Sequence, residues 1–355
     1  MDHLNKLTKF IKIYKTEKEI MSSWVGSLSS PMVTILCATY NHEKYIEDTV
    51  AGFLCQKTNF PFKILIRDDA SIDNTPDLLR EIKARYPNII KVIYESENQY
   101  SKGINAFPKL AHEAKGKYIA MCDGDDYWTD PLKLQKQVDV LESDPTYTLA
   151  FCNIEVIYDS LEHKPHEAYQ AKGLSPADGK IRVFSHPCER TSFADLMKGN
   201  YIHTPGVLFR NWIREEGLPD YMEKVTISDW PLHLFTAIKG DIFYTNEIMS
   251  RYRVHSGGIW SQRNCFEQGY LALGQYPPLL KSKVFDNHTK NYWLKKIKKN
   301  FMYLFTKAST INERLQLIWN FGIPISILSF FSLIQWLQIR FYKNQFIFSL
   351  KKIVK

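Results

Sequence analysis

Apolar and polar positions along this chain follow two different rhythms. Residues 4–24 repeat at helical spacing, with Leu4, Leu7, Phe10, Ile11 and Tyr14 on one face and lysines at 6, 9, 12 and 15 between them. This predicts a basic amphipathic helix, broken by Ser29-Ser30-Pro31. From there, short apolar runs alternate with helical ones. Strands are expected at 32–38, 62–68, 89–94, 118–122 and 148–158. Helices are expected from an Asn41 cap to about Cys55, from Asp73-Asn74-Thr75-Pro76 onward, and from Pro131 to Ser143. Residues 159–190 are polar without a period and read as a variable loop. A helix at 192–199, a strand at 206–209, a helix over Trp230–Lys239 and two strands within 241–254 follow.

Such alternation predicts an α/β fold with a mostly parallel sheet and flanking helices. Sheets of this kind bind ligands beyond the carboxyl ends of their strands. The polar clusters fall at those ends: TYNHE after the first strand, DDAS after the second, DGDD after the fourth.

Net charge is +8, with the excess at the two ends of the chain. A nucleic-acid partner is not expected, because this charge flanks apolar segments instead of lining the motif face. Six cysteines, at 37, 55, 122, 152, 188 and 265, form no CxxC pair. Buried thiols in a reducing compartment are the expectation. The interrupted N-terminal apolar run predicts no signal peptide, and so a cytoplasmic chain.

Asp123-Gly124-Asp125-Asp126 places three carboxylates at one strand end. Like charges this close repel, and a hard divalent cation relieves the repulsion. Mg²⁺ and Mn²⁺ take one or two carboxylates together with substrate phosphates. A solvated acidic turn capping the next helix is the plainer alternative; the preceding apolar strand and the following Tyr127-Trp128 favour a cation site.

The stretches VTILCATYN (33–41), IRDDAS (66–71), GKYIAMCDGDDYWTDPLKLQKQ (116–137), ISDWPL (227–232) and YRVHSGGIW (252–260) resemble, in order, the inverting glycosyltransferases of family 2. The resemblance is strongest to bacterial enzymes that build surface polysaccharides. It implies a GT-A fold over 31–262, with a nucleotide-sugar-binding half at 31–158 and an acceptor half at 159–262. Residues 1–30 form an N-terminal appendage and 263–355 a C-terminal helical, amphipathic region. It also implies a UDP-sugar donor, a Mn²⁺ or Mg²⁺ cofactor, and a glycan or lipid-linked acceptor.

The same resemblance assigns roles. Thr39, Tyr40 and Asn41 match the first donor-contact loop, with Glu43 assisting. Asp68 matches the acid at the base edge, with Asp69 and Ser71 orienting its loop. Asn98 and Lys102 fall where the family often carries an Arg. Asp123 is expected near the ribose and metal, Gly124 at close backbone approach, and Asp125 as the principal metal ligand. Asp126 is either a second ligand or a support.

Inverting transfer is a single displacement at the anomeric carbon. It needs one general base for the acceptor hydroxyl and one stabiliser of the leaving diphosphate. Asp229 matches the family base, with Ser228 where an acid more often stands. His255 resembles the late histidine of the metal site. Gly257-Gly258 gives its loop freedom to close, and Trp260 is a candidate cover for the sugar or diphosphate. Arg251 and Arg253 are candidate partners of phosphate or of the acidic cluster, and His203-Thr204-Pro205 is expected to face the acceptor. A nucleotidyltransferase and an inactive nucleotide-sugar-binding scaffold are the competing readings. The first lacks its Gly-rich phosphate loop; intact Asp125, Asp229 and His255 argue against the second.

Residues 315–339 carry no charge. They also hold Pro324 and seven polar residues, which suits an interfacial helix better than a spanning one. Basic flanks, from Lys295 to Lys299 and at Arg340, Lys343 and the C-terminus, predict peripheral attachment to the inner face of the plasma membrane. A helical subdomain, also able to pair two copies of the chain, is the alternative.

Overall fold

The structure, a computed structural model, describes residues 15–159, 180–183, 188–225 and 227–321. The chain divides into two units, Met1–Gln262 and Arg263–Lys355. The amphipathic face expected from Leu4 to Tyr14 lies outside the described residues, as does the uncharged stretch from 322 onward. What is described of the first predicted helix is Glu17–Met21, closed by a capping box between Thr16 and Glu19.

The first unit is built on one sheet. Strands β1 (Val33–Thr39), β2 (Phe62–Asp68), β3 (Ile90–Tyr94) and β4 (Tyr118–Met121) run parallel in the order β3-β2-β1-β4. β1 is buried almost throughout, as expected of a parallel strand covered by helices on both faces. The sheet then departs from the parallel expectation. β9 (Val207–Arg210) lies antiparallel between β4 and β6 (Tyr147–Tyr158). Beyond β6 come β10 (Asp241–Val254), parallel to it, and the short β5 (Tyr127–Trp128), antiparallel to β10. Two further short strands are antiparallel additions: β7 (Lys180–Val183) on β6 and β8 (Arg190–Thr191) on β10.

Two local predictions are corrected. Residues 241–254 form one strand, not two; its register slips between Asp241 and Ile242 and around Thr245–Ser250. The polar Thr245-Asn246-Glu247 segment is accommodated as a bulge. Asn41 does not cap a helix. It sits in the left-handed region, at φ 55°, and the helix begins only at Ile46. That helix, Ile46–Leu54, packs hard on β5 through Gly52, where a Cβ would lie 2.8 Å from the Trp128 backbone nitrogen. Thr49, within the same helix, donates to the carbonyls of Gly124 and Asp126 and so ties the helix to the DGDD turn.

The described residues of the second unit form helices Cys265–Gly274, Tyr276–Lys281, Asn287–Lys307 and Ile311–Phe321. Trp293, Phe301, Leu304 and Phe305 form its buried stripe, with Phe285 edge-on to Trp293 at 4.9 Å. Among the described residues no helix is long and apolar enough to cross a membrane.

Candidate active site

The polar ends of β1, β2 and β4 are tied to one another before any ligand is considered. The Ser71 hydroxyl accepts from the Asn41 amide at 2.8 Å, and the Asn41 side-chain oxygen accepts from the Ile72 amide at 2.9 Å. The Glu43 carboxylate accepts from the Asn74 amide at 3.1 Å, while the Glu43 amide donates to Asp73 at 3.0 Å. Asp69 accepts from the amides of Gln99 and Tyr100, at 3.0 and 2.9 Å, and so draws in the loop after β3. Asn98 closes that loop, accepting from the Ser101 amide at 2.7 Å. Lys102 is engaged with Glu97 at the surface. Asn41, Glu43, Asp69 and Asn98 therefore spend their polar atoms on holding loops.

Between these loops lies an open cleft of about 510 Å³, lined by Tyr40, Asp68, Ser71, Ile72, Tyr94 and Asn98 among others. Tyr40 is 40% exposed and Ile72 87% exposed, both large apolar surfaces offered to solvent. Asp68 lies behind them, buried, with Ser71 Oγ donating to it at 2.5 Å. Burial raises the Asp68 carboxyl above its ordinary range, although the Ser71 bonds pull the other way. A flat ring with hydrogen-bonding edges fits a cleft with this lining.

The DGDD turn follows β4. Gly124 donates its amide to Ala38 O at 2.8 Å, so the turn lies against the end of β1. Asp125 and two histidines meet there. His255 Nε2 is 3.0 Å from Asp125 Oδ2, and His42 Nε2 is 3.8 Å from the same oxygen. The ligating atoms of His42, Asp125 and His255 all lie within 4.8 Å of one another. Burial alone would raise Asp125, but the two imidazoles outweigh it and its carboxyl is held below the usual range. Asp123 behaves oppositely: burial, then the charges of Asp125 and Asp229, push it up to about 7. Asp126 is almost wholly buried and accepts from the Arg253 amide at 2.8 Å, while Thr49 donates to its carbonyl at 2.6 Å. Neither Asp123 nor Asp126 belongs to the group close enough to share an ion among the described residues.

Around this cluster sit two arginines. The Arg253 guanidinium lies between the rings of Tyr45 and Tyr127, at 4.6 and 5.0 Å, and reaches Asp48 at 3.1 Å. Arg251 pairs with Glu155 at 2.7 Å and with the Tyr127 hydroxyl at 2.8 Å. Asp229 is the first residue of helix Asp229–Ala237. Its Oδ2 accepts from Asn200 Nδ2 at 2.8 Å, and burial raises its carboxyl. Gly257 donates its amide to His255 Nδ1 at 3.2 Å, and Gly258 donates to the His255 carbonyl at 3.2 Å. Trp260 is half-buried in the turn beyond. His203 packs on Tyr252 at 5.9 Å between ring centroids, and Pro205 O accepts from Trp128 Nε1 at 2.9 Å.

Two residues of this site were missed in the sequence. His42 had a signal, standing inside the TYNHE cluster. Asn200 had none: nothing in its neighbourhood distinguishes it from a surface polar residue.

The profile of glycosyl transferase family 2 matches residues 34–205. An uncharacterized protein of Mycobacterium tuberculosis is 36% identical over 229 residues, which is 64% of this chain and 60% of that one. The chain thus spans less than two thirds of the length of that relative. The UDP-Glc:alpha-D-GlcNAc-diphosphoundecaprenol beta-1,3-glucosyltransferase WfaP of Escherichia coli is 30% identical over 229 residues, 64% of this chain and 79% of WfaP. The structure of S. aureus TarS 1-349 in complex with UDP-GlcNAc superposes with a TM-score of 0.58 at 14% identity, over 83% of this chain and 82% of that one. That likeness is one of fold, and the fold is GT-A.

Proposed function

The chain belongs to glycosyltransferase family 2, and from that membership we propose that it moves a hexosyl group from a UDP-sugar to a hydroxyl of a glycan carried on a lipid diphosphate, with inversion, during synthesis of a bacterial surface polysaccharide. The choice of donor and acceptor class leans on WfaP, whose name specifies UDP-Glc and a diphosphoundecaprenol-linked sugar. The observation that carries the reading is the Asp125–His255 pair at the end of β4, beside a cleft lined by Tyr40 and Asp68.

In this reading Tyr40 stacks on the base, while Asp68 and Ser71 address its edge. Thr39, Asn41, Glu43, Asp69 and Asn98 hold the loops that form the cleft. Asp123 faces the ribose. Asp125 and His255 would hold Mn²⁺ or Mg²⁺, and the donor set fits: an oxygen held ionised beside a ring nitrogen 3.0 Å away. Such an ion, when bound, supplies the positive charge that balances the leaving diphosphate. Asp229 takes the acceptor proton. Burial raises its affinity for that proton, and Asn200 holds one carboxylate oxygen in place. Trp260 covers the sugar.

The second unit is proposed to lie at an anionic membrane face. Helix Asn287–Lys307 carries lysines at 290, 295, 296, 298, 299 and 307 and no acidic residue, and it exposes Leu294 and Tyr303.

The test is a panel of nucleotide sugars with Mn²⁺ and a lipid-diphosphate-linked sugar, scored for nucleoside diphosphate release. Acceptor-dependent UDP release with an inverted product is expected. Release from no donor in the panel, or a retained anomeric configuration, overturns the proposal. The full-length chain should also sediment with anionic liposomes at low salt and be released at high salt; indifference to liposomes removes the membrane reading.

A further inference from the structure

We propose that His42 is a third protein donor to the cation site, so that this chain grips its ion with two imidazoles and one carboxylate and selects Mn²⁺ over Mg²⁺. The proposal rests on the metal-site reading above and adds to it a residue and a selectivity.

Geometry is the first argument. His42 Nε2 lies 3.8 Å from the Asp125 oxygen that His255 Nε2 approaches to 3.0 Å, and all three donors fall within 4.8 Å of one another. Metal–ligand bonds of roughly 2.0–2.2 Å, at right or tetrahedral angles, separate neighbouring donors by roughly 3–3.6 Å. An ion among these three therefore needs only a small contraction of the existing set.

The second argument is that the His42 ring is fixed and under-used. Its side chain is 13% exposed, and its Nδ1 has no hydrogen-bond partner among the described residues. Its backbone is locked, because the His42 carbonyl accepts from the amides of Tyr45 and Ile46, each at 2.9 Å, at the entry to helix Ile46–Leu54. Its ring rests against the DGDD turn so closely that a Cβ on Gly124 would lie 2.9 Å from Nδ1. A half-buried imidazole held this firmly, with Nε2 turned toward Asp125 and making no hydrogen bond among the described residues, suits a ligand.

Selectivity follows from the donor set. Mg²⁺ prefers oxygen ligands and keeps several waters, whereas imidazole nitrogen suits the first-row transition ions. Three protein donors also hold an ion without help from a nucleotide diphosphate. Mn²⁺ should thus bind the full-length chain in the absence of UDP, and Mg²⁺ should compete poorly.

The experiment measures Mn²⁺ binding to the full-length protein by paramagnetic resonance of the free ion, without nucleotide, with Mg²⁺ as competitor. His42→Gln is expected to weaken Mn²⁺ at least about ten-fold and to bring Mn²⁺ and Mg²⁺ affinities closer together, with unchanged thermal melting of the metal-free protein. His42→Cys, offering a soft sulfur, is expected to shift preference toward Cd²⁺. If both variants bind Mn²⁺ and Cd²⁺ as the wild type does, while Asp125→Ala loses the ion, His42 is not a ligand and the family-type site stands without it. If the wild type binds UDP yet takes up no ion with or without it, the metal-site reading itself falls.

Discussion

Gly124→Ala adds one methyl group at the point where the DGDD turn meets the end of β1. The new Cβ would lie 2.6 Å from Thr39 Oγ1, 2.7 Å from Thr39 Cβ and 2.9 Å from His42 Nδ1. Thr39 is buried at a strand end and has no flexible tip to swing away. Moving its hydroxyl oxygen from 2.6 Å to an ordinary contact of 3.4 Å requires a shift of about 0.8 Å, borne by the turn or by the strand end. Overpacking of this kind costs about 1–3 kcal/mol. In a unit of this size each kcal/mol lowers Tm by roughly 2–4 °C. The larger effect is positional, because Asp125 is the next residue and must move with the turn. A misplacement near 1 Å at reacting groups costs on the order of 10²-fold in rate. Differential scanning calorimetry, Mn²⁺ binding and UDP release should accordingly report a modest loss of stability and a large loss of metal affinity and turnover. A Gly124→Ala protein that melts, binds Mn²⁺ and turns over like the wild type would refute the argument that the turn and the first loop are in rigid contact.

Three further outcomes are expected. Asp229→Asn keeps the contact with Asn200 but loses the basic oxygen, so turnover should fall about 10²–10⁴-fold with donor affinity nearly unchanged; a near-normal rate assigns the proton to another group. Tyr40→Ala should weaken UDP binding, measured by calorimetry, by about 1–3 kcal/mol if the exposed ring stacks on the base, and unaltered affinity removes that role. Lys133 is fully buried under the Trp128 ring, 4.3 Å from its centroid, and burial pushes its ammonium down to about 8. Between pH 8 and its unfolded value the unfolded chain holds more protons, so the penalty is full below pH 8 and lifts as pH rises. Relative to Lys133→Met, the wild type should gain about 3 kcal/mol between pH 7.5 and 10.5, read from paired melts; a constant difference sinks the assignment.

Much of the fold was legible because parallel strands buried on both faces leave continuous apolar runs. VTILCA, FKILIRD and YIAMC each announced a strand, and the polar clusters marked the strand ends. What local pattern could not give was direction. VLFR reads the same whether β9 runs with its neighbours or against them, and it runs against. Nor could it separate a turn from a bulge at Thr245-Asn246-Glu247, since both collect polar residues. Asn41 illustrates a subtler failure. Its short side chain suits a helix cap and the left-handed region equally. Which one it adopts is decided by a partner, the Ile72 amide, that belongs to a different loop.

The same logic explains why His42 escaped while Asp125 and His255 did not. A DGDD cluster is conspicuous by itself, and His255 stood in a glycine-containing loop that resembles a known one. His42 gains meaning only when β1 and β4 are neighbours, which is a fact of sheet order and not of sequence order. β4 is paired with β1 in the register Val33↔Tyr118 to Leu36↔Met121, so the loops that follow the two strands leave the sheet side by side. The Gly124 amide bond to Ala38 then fixes the turn against the first loop, and the absence of a side chain at Gly124 lets the imidazole lie flush with it. Residues 42 and 125 are thereby brought to one point by three local choices: a strand register, a backbone hydrogen bond and a missing methyl group. Altering the last of these, through Gly124→Ala, should loosen His42 and Asp125 together, whereas His42→Gln should leave Asp125 in place. The two variants ought therefore to differ in residual Mn²⁺ affinity, with Gly124→Ala the weaker binder; equal affinities would mean that the added methyl group displaces His42 alone and leaves Asp125 where it was.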